Sequence, residues 1–156
     1  MQKYIYGTGV LFLGYLYFNR NPDRKIPVGN NLVSPADGTI ESIIDSKIEI
    51  FIGILDVHYQ RSPCDGYITN VIEQNGSNRN AIELSTIFGD ITVERWSGLI
   101  ARTVITFIET GDHINKGDIF GRILLGSHCS ITIPNNLSII VNVGQHILAG
   151  ETIIAE

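Results

Sequence analysis

The chain of 156 residues has few charged residues, two cysteines and no long basic run. Charged residues make up 17% of the sequence and the formal net charge is −5, a balance that argues against a general nucleic-acid binder. Cys64 and Cys129 are far apart and form no CxxC pair, and the four histidines fit no HExxH or HxxxH pattern. We therefore expect a reducing compartment, no structural metal and, from the length, a single domain.

The N-terminal region lacks the length needed to cross a bilayer. Its uncharged stretch, Tyr4–Phe18, is shorter than the roughly 20 apolar residues that a spanning helix requires. Tyrosines near both ends suit the headgroup zone, and no small-residue cleavage site of a secretory signal follows. We expect residues 1–25 to associate with a membrane by interfacial or shallow insertion. The alternative is a buried first strand or helix of the core.

Helical periodicity is nearly absent after Pro27. Short β-type runs punctuated by glycine dominate, and a helical period longer than two turns is suggested only around Arg95–Phe107. The sequence therefore predicts a mostly β domain over residues 26–156, built of short antiparallel strands in a sandwich or barrel. The strand candidates are Val33–Ile44, Ile48–Leu55, Gly66–Ile72, Ala81–Ser85, Ile91–Arg95, Ala101–Ile108, Ile119–Leu125, Ser130–Ile133, Ile139–Val143 and Thr152–Ala155.

Two pairs of segments repeat within the chain. Ser34–Ile40 (SPADGTI) is echoed by Ser62–Ile68 (SPCDGYI), and Gly111–Ile119 is echoed by Gly144–Thr152. In the first pair, proline, aspartate and glycine form a turn that leads into a strand. Glycine-spaced hairpins like the second pair are typical of lipoyl and biotinyl carrier domains. We therefore expect two similar hairpin units packed around one core.

The dipeptide Gly126-Ser127 is a candidate site of self-cleavage. The Ser127 hydroxyl follows the least hindered peptide carbonyl that a chain can present. It can attack that carbonyl, convert the amide into an ester and leave by β-elimination, so that the serine becomes a ketone-bearing pyruvoyl group. Most Gly-Ser pairs are turns or linkers, so the dipeptide needs support from the rest of the chain.

His58 is the candidate base for such a reaction. It alternates with apolar neighbours at the end of an apolar β run, so we expect its side chain to face inward. A histidine can take a proton from a serine hydroxyl, and a nearby carboxylate can orient it. Asp37 and Asp56 are the candidate carboxylates. Taken singly, each of the three residues is as well explained as a core histidine or a turn aspartate.

In their order along the chain, these features resemble the short form of the phosphatidylserine decarboxylases, including the archaetidylserine enzymes. The similarity extends along essentially the whole sequence. The matching segments are Phe18–Pro22, Arg24–Pro27, Ser34–Gly38, Asp56–His58, Arg61–Gly66, Asn78–Asn80, Gly98–Arg102 and Gly117–Ser127.

The resemblance implies a proenzyme that cuts itself between Gly126 and Ser127. The products would be a β chain, residues 1–126, and an α chain, residues 127–156, that begins with a covalent pyruvoyl cofactor made from Ser127. The ketone would accept electrons as carbon dioxide leaves the serine headgroup of phosphatidylserine, giving phosphatidylethanolamine. The membrane-associating segment suits a substrate whose acyl chains stay in the bilayer, and we expect the protein at the cytoplasmic face of the cell membrane.

The family pattern also implies roles for single residues. Asp37 matches the aspartate of the self-cleavage triad, and Ser127 matches its nucleophile. Longer relatives have a second histidine, in a DxHxxH pattern, where this chain has Arg61. We therefore infer that His58 is the base in cleavage, in decarboxylation or in both. The pKa of an arginine lies above about 12, so Arg61 is expected to bind the substrate carboxylate or phosphate, with Arg102 as a further phosphate contact.

The roles of His128 and Arg79 and the choice among several functions stay open. His128 stands where short-form relatives usually have arginine. It either supplements His58 or fills a turn, and the turn is favoured. Arg79 is a further phosphate candidate or a solvated surface charge. A non-enzymatic carrier or binding module would explain the repeats, although Lys116 in one copy is Ala149 in the other.

Other activities are compatible with the same residues. A pyruvoyl enzyme for a soluble amino acid would explain the serine but not the N-terminal segment, and an inactive relative is a further alternative. The sequence leaves open whether the lipid is diacyl or archaeal and whether the chain forms a homo-oligomer.

Overall fold

The computed structural model describes residues 14–73, 78–98, 103–124 and 127–156, which form a β-rich domain. Within these ranges the chain forms thirteen strands and a short helical segment at residues 14–18. The strands are β1 (Leu32–Val33), β2 (Gly38–Ile44), β3 (Lys47–Ile52), β4 (Tyr59–Arg61), β5 (Gly66–Glu73), β6 (Arg79–Thr86), β7 (Gly89–Ser97), β8 (Thr103–Thr106), β9 (His113–Ile114), β10 (Ile119–Leu124), β11 (Ser127–Thr132), β12 (His146–Ile147) and β13 (Ile153–Ala155).

The described strands pair into three antiparallel sheets around one hydrophobic core. The largest has the order β12-β2-β3-β11-β7-β6-β5-β9, a second has the order β4-β10-β8, and the third pairs β1 with β13. Because side chains alternate across a strand, β3 buries Ile48, Ile50 and Ile52 completely on one face. Residues of all three sheets meet in the core, for example Ile50, Phe120 and Ile154. The prediction of a mostly β domain is confirmed.

The differences from the predicted elements have local causes. The suggestion of helix around Arg95–Phe107 is wrong where the chain is described, because Arg95 belongs to β7 and Thr103–Thr106 form β8. The latter is a β-branched run that pairs with β10. The predicted strand Val33–Ile44 is interrupted by a turn before Gly38, and Ile139–Val143 contributes an isolated bridge from Ile139 to Ala155.

The two pairs of repeated segments make equivalent backbone contacts. We call residues 34–40 with 144–150 the first unit, and residues 62–68 with 111–117 the second unit. The same backbone positions are hydrogen-bonded in both. Ile40 N donates to Gln145 O (3.0 Å) in the first unit, as Ile68 N does to Asp112 O (2.8 Å) in the second. Gly144 N donates to Ile40 O (2.8 Å), as Gly111 N does to Ile68 O (2.8 Å). Gly150 N donates to Ser34 O (2.9 Å), as Gly117 N does to Ser62 O (2.9 Å).

Each unit begins its strand at a glycine because a neighbouring backbone lies very close. A Cβ atom on Gly66 would lie 2.8 Å from the carbonyl oxygen of Ser85, and one on Gly38 would overlap the carbonyl oxygen of Phe51. Glycine is the residue that permits such an approach. The two turns therefore fix where β2 and β5 start and how closely they approach the next strand.

Arg95 is a charged residue that is completely buried in this core. Its guanidinium donates to Asn80 Oδ1 (2.5 Å) and Thr106 Oγ1 (2.9 Å) and lies 5.1 Å from the Phe120 ring centre. Desolvation lowers its pKa to about 10. Any side chain on Gly121 would collide with this guanidinium, so the glycine makes room for it. The strand pattern placed Arg95 at a strand end and gave no sign of this burial.

Both cysteines are free and buried. Burial raises the pKa of the Cys64 thiol to about 11 and that of the Cys129 thiol to about 12. Neither thiol is therefore ionised near neutral pH, and neither is suited to act as a nucleophile.

Candidate active site

His58 lies just before β4, where its carbonyl oxygen accepts a hydrogen bond from the Ile123 amide of β10 (3.0 Å). Its side chain is buried, as the sequence predicted. Nδ1 lies 2.8 Å from the carbonyl oxygen of Asp56. A carbonyl can only accept, so Nδ1 donates, and in the neutral ring Nε2 has the free lone pair. Burial lowers the pKa of His58, against the raising effect of the Asp56 bond, which favours this neutral form near pH 7.

The Nε2 atom of His58 is buried and has no hydrogen-bond partner among the described residues. The Phe18 ring covers the imidazole, with 4.2 Å between the ring centres. A buried polar atom without a partner is unfavourable, and four other side-chain atoms of the described residues share this state: Arg24 Nε, Gln60 Oε1, Arg95 Nε and Ser97 Oγ. Nε2 of His58 differs from them because a neutral imidazole nitrogen can act as a base near neutral pH. The geometry thus provides a neutral imidazole with its basic nitrogen held away from bulk water.

Asp56 connects this histidine to a second one. Its carboxylate accepts a hydrogen bond from Gly53 N (2.7 Å), which closes the turn after β3, and its Oδ1 lies 3.0 Å from Nε2 of His146. His146 was absent from the sequence-based candidates. Alignment of the repeats was the available signal, because His146 and His113 occupy the same register position, opposite Thr39 and Tyr67 respectively.

Asp37 is buried at the start of β2. Both of its oxygens accept from Nη2 of Arg24, at 2.9 and 2.8 Å, and Oδ1 also accepts from Ala149 N at 2.8 Å. In the described part of the chain, no hydrogen bond joins Asp37 to His58. Asp37 nevertheless lies near enough for its charge to act on the pKa of His58, in the raising direction. Arg24, which neutralises Asp37, entered the sequence argument only as part of a matching segment.

The predicted cleavage dipeptide, Gly126-Ser127, follows β10 in the sequence. Gly126 is outside the described residues, and the backbone of Ser127 begins β11, opposite Ile52 of β3 and Ser97 of β7. Ile52 directly precedes Gly53, whose amide bonds the Asp56 carboxylate. On the other side, β10 is bonded to the His58 backbone one residue before it ends. The described strands on the two sides of Gly126 therefore relate differently to this segment: β10 bonds the backbone of His58, and β11 pairs with β3, the strand that precedes the Asp56 turn.

The two arginines predicted to bind substrate differ in what the structure shows. Arg61 is partly buried, and its guanidinium donates to Gly117 O (2.8 Å), Asn21 Oδ1 (2.8 Å) and Pro22 O (3.3 Å). Desolvation, and then the nearby charge of Arg24, lower its pKa. The bonds to Asn21 and Pro22 connect β4 to the N-terminal segment. Arg102 lies outside the described residues.

His128 lies in strand β11, so the interpretation that it fills a turn is wrong. Its ring stacks on Trp96, with 5.5 Å between ring centres, and meets Phe51 edge-on at 5.3 Å. Its Nε2 lies 3.2 Å from Glu41 Oε2. Arg79 lies on the other side of Trp96, 5.9 Å from the ring centre. His128 is thus part of an aromatic row along the sheet, and no contact joins it to His58 in the described residues.

The N-terminal segment crosses this site where it is described. Tyr15, Leu16 and Tyr17 are exposed in the short helical segment, which does not fit the alternative of a buried core element for these three residues. Most of the predicted membrane-associating stretch, residues 4–13, lies outside the described residues. Among the helices of the described ranges, none is long and apolar enough to cross a membrane.

Comparison with known proteins bears on what this arrangement does. The family model for phosphatidylserine decarboxylase matches residues 11–155. The chain belongs to the phosphatidylserine decarboxylase family. It is therefore a decarboxylase, as the sequence predicted, and its relatives are of the short, archaeal-like form.

Three relatives of this decarboxylase illustrate the similarity. The "putative archaetidylserine decarboxylase proenzyme" of Methanosarcina mazei is 35% identical, over 96% of this chain and 77% of the relative. The protein of the same name from Archaeoglobus fulgidus is 33% identical, over 92% and 80% respectively. The "phosphatidylserine decarboxylase proenzyme" of Beijerinckia indica is 30% identical, over 90% and 72%. No solved structure matches the chain.

Proposed function

We propose that this chain is a proenzyme that cuts itself between Gly126 and Ser127 and then decarboxylates the headgroup of phosphatidylserine to give phosphatidylethanolamine. Membership of the family and the proenzyme names of the relatives support this proposal. The observation that carries it is the state of His58. Its basic nitrogen is buried and has no hydrogen-bond partner among the described residues, and its backbone is bonded to β10, the strand that precedes Gly126-Ser127 in the sequence.

In self-cleavage, Nε2 of His58 takes the proton of the Ser127 hydroxyl while the oxygen attacks the Gly126 carbonyl carbon. The peptide bond breaks to the serine nitrogen, which takes up a proton, and an ester replaces the amide. Removal of the α-proton of Ser127 then expels the Gly126 carboxylate by β-elimination. One water hydrolyses the resulting enamine, through its imine tautomer, to the ketone and releases ammonia. The positive charge that forms on the imidazole is stabilised by the charge of Asp56 and, to a smaller extent, by that of Asp37, against the opposing charge of Arg20.

A pyruvoyl group made from Ser127 would begin β11, and the backbone of His58 is bonded to β10, the strand before it. When present, the group supplies a ketone that draws electrons from the substrate α-carbon as carbon dioxide leaves. His58 holds or moves the proton at Nε2, and the Phe18 ring, 4.2 Å away, shields that proton from water. Asp56 fixes the tautomer through its carbonyl oxygen.

Substrate binding by Arg61 and Arg102 stays a prediction. A guanidinium is suited to the carboxylate and phosphate of the substrate. Arg61 already donates to three protein oxygens, so it would have to exchange at least one of them for substrate or use another of its N–H groups. The pair Arg61→Lys and Arg61→Gln tests this, because an effect through substrate raises KM more than it lowers kcat.

The intact mass of the purified protein tests self-cleavage. We expect two fragments, residues 1–126 and 127–156, with the second lighter than a serine-started peptide by the mass of ammonia. Ser127→Ala is the control and should stay as one chain. A single uncut chain in a preparation that decarboxylates phosphatidylserine would contradict the proposal.

Archaetidylserine is the second candidate substrate, because several relatives are named for it. Release of labelled carbon dioxide from vesicles of diacyl phosphatidylserine, compared with vesicles of the archaeal ether lipid, distinguishes the two. A carrier module is less well supported. The Nζ atom of Lys116, the hairpin lysine, is bonded to Gly29 O (2.8 Å) and Asn31 Oδ1 (3.1 Å), whereas a modifiable lysine would be free.

A further inference from the structure

Two aliphatic side chains project from the turn that follows β3. Ile54 is 63% exposed and Leu55 is 68% exposed. The turn is well defined, because the Asp56 carboxylate accepts from Gly53 N (2.7 Å) and the Asp56 amide donates to Gly53 O (3.1 Å). Exposure of two adjacent large aliphatic residues at the tip of a fixed turn is unfavourable in water and is typical of a surface that has a partner.

The helical residues of the N-terminal segment extend this apolar surface. Tyr15, Leu16 and Tyr17 are 65%, 49% and 51% exposed. Arg20 joins them to the turn: its guanidinium donates to Tyr17 O (2.9 Å) and Leu55 O (2.6 Å) and lies 3.8 Å from the Tyr17 ring centre. We call Tyr15, Leu16, Tyr17, Ile54 and Leu55 the apolar rim.

The apolar rim lies directly beside the candidate base. Phe18, the next residue after the helical part of the rim, packs on His58. Asp56, the next residue after the turn part, holds His58 Nδ1 with its carbonyl oxygen. Both halves of the rim are therefore one residue away from a contact to the same imidazole.

The chain itself indicates what the rim contacts. The uncharged stretch that starts at Tyr4 enters the described structure at this rim, and it contains apolar residues and tyrosines without a charge as far as Arg20. Tyrosine and arginine beside aliphatic side chains are the composition of a segment that lies at the level of lipid headgroups. Contact with a protein partner would not require the uncharged stretch that precedes the rim in the sequence.

We propose that the apolar rim is the surface by which the folded domain contacts a lipid bilayer. The side chains of Ile54 and Leu55 insert into the bilayer, on the turn that leads to His58. This deepens the proposed function and rests on it for one consequence, that a lipid headgroup reaches His58 across the rim while its acyl chains stay in the bilayer. A second copy of this chain and the chain's own N-terminal stretch are the competing occupants.

Vesicle binding tests the rim without any substrate. The full-length protein is sedimented with vesicles of phosphatidylcholine and phosphatidylglycerol that contain no serine lipid. We expect the double variant Ile54→Ser/Leu55→Ser to bind about tenfold more weakly than the wild type, because it removes the inserted aliphatic groups. The matched control is Ile87→Ser, since Ile87 is 78% exposed on the β6–β7 turn, at the far end of β7 from Ser97. Equal binding by the double variant and the wild type would overturn the proposal.

A label at position 55 separates the bilayer from the competing occupants. Both native cysteines are buried, so the Leu55→Cys variant directs a thiol-reactive environment-sensitive dye to that position. We expect the dye to emit as in water before vesicles are added and to be quenched by brominated lipids afterwards. A dye that is already shielded before vesicles are added, at all protein concentrations, would show that the N-terminal stretch covers the rim. Shielding that grows with protein concentration would show a second copy. Either result overturns the proposal, even if the double serine variant fails to fold.

Activity distinguishes failure of this inference from failure of the proposed function. Decarboxylation is compared on vesicles that contain phosphatidylserine and on a short-chain phosphatidylserine below its micelle concentration. We expect the ratio of vesicle to monomer activity to fall about tenfold in the Ile54→Ser/Leu55→Ser variant and to stay constant in Ile87→Ser. An unchanged ratio refutes only the proposal that the rim contacts the bilayer. Absence of wild-type activity on both substrates refutes the proposed function, and the vesicle-binding result stays valid.

Discussion

The two repeat units have the same backbone and different chemistry. In each, an aspartate of the Pro-x-Asp-Gly turn accepts a backbone hydrogen bond from the facing hairpin: Asp37 from Ala149 N (2.8 Å) and Asp65 from Lys116 N (2.7 Å). Asp37 is buried, and Arg24 neutralises its charge, whereas Asp65 is exposed. The turn is thus a structural device in both units, and its aspartate gains a further role where the N-terminal segment packs over it.

The histidines of the two units differ in the same way. His146 and His113 occupy equivalent register positions in β12 and β9, the strands at the two opposite edges of the eight-stranded sheet. His146 is bonded to the Asp56 carboxylate, while His113 packs edge-on against Tyr67. The second unit therefore provides control variants for the first. A substitution there affects an equivalent backbone position, but its side chain is not part of the candidate site.

The largest expected difference is between Asp37→Asn and Asp65→Asn. The asparagine oxygen can still accept the backbone hydrogen bond in both variants. Asp37→Asn, however, leaves Arg24 buried without its counter-charge, which costs about 3–5 kcal/mol of unfolding free energy. Asp65→Asn should cost less than about 1 kcal/mol, because its carboxylate is exposed. Urea unfolding measures both values. Restoration of part of the loss by Arg24→Gln in the Asp37→Asn background is the control, and equal costs in the two units would contradict the assignment.

His58→Gln is expected to slow self-cleavage by about 10²–10⁴-fold, because it removes the base and keeps a polar side chain of similar size. His113→Gln, in the second unit, should cleave at the wild-type rate. The measurement is the rate at which fragments appear in freshly translated chain, followed by mass. If His128→Gln slows cleavage as much as His58→Gln does, the choice of base is wrong.

Because His58 is buried, the free energy of unfolding is expected to depend on pH. Burial lowers the pKa of the folded His58 below its ordinary value of 6.5, so the unfolded chain takes up the proton first as the pH falls. The neutral imidazole therefore contributes stability that is fully present above 6.5 and is lost as the pH falls through the lower folded pKa. Unfolding free energies of the wild type and His58→Gln, measured from about pH 8 to about pH 5, give this difference. A difference that does not change over this range would contradict a lowered pKa.

Much of the fold could be predicted because its signals are local. Alternating apolar residues located the long strands, and the repeated turns located the two units. The short strands β4, β9 and β12 were missed, since two or three residues carry no periodicity and these strands exist through pairing with distant partners.

The candidate site was predictable in its identities and less so in its contacts. Asp37 and His58 were found from the turn, the β run and the family pattern. Arg24 binds Asp37 and His146 binds Asp56, both from far away in the sequence, and no local rule connects position 24 with 37 or 146 with 56. The packing of Phe18 on His58 was not predictable for the same reason, because the apolar composition of the segment does not show which distant residue it contacts.

The smallest expected effect distinguishes His146 from His113. His146→Ala removes the bond to Asp56, and we expect self-cleavage to slow by about three- to tenfold. This modest loss fits a single hydrogen bond from a half-exposed side chain, worth about 1 kcal/mol. His113→Ala should leave the rate unchanged, because its ring contacts Tyr67 and not the site.

The variant His146→Gln distinguishes a hydrogen-bonding role of His146 from a role as a titrating group. In His146→Gln the amide nitrogen can still donate to the Asp56 carboxylate, so this variant should cleave faster than His146→Ala if the role of His146 is to hold Asp56 and, through its carbonyl oxygen, His58. A pH profile supports the same distinction, because a hydrogen-bonding role survives in glutamine at every pH and a titrating role does not. Equal rates for the glutamine and alanine variants would mean that the imidazole itself is needed, and the first unit would then contribute a second base rather than a support for the first.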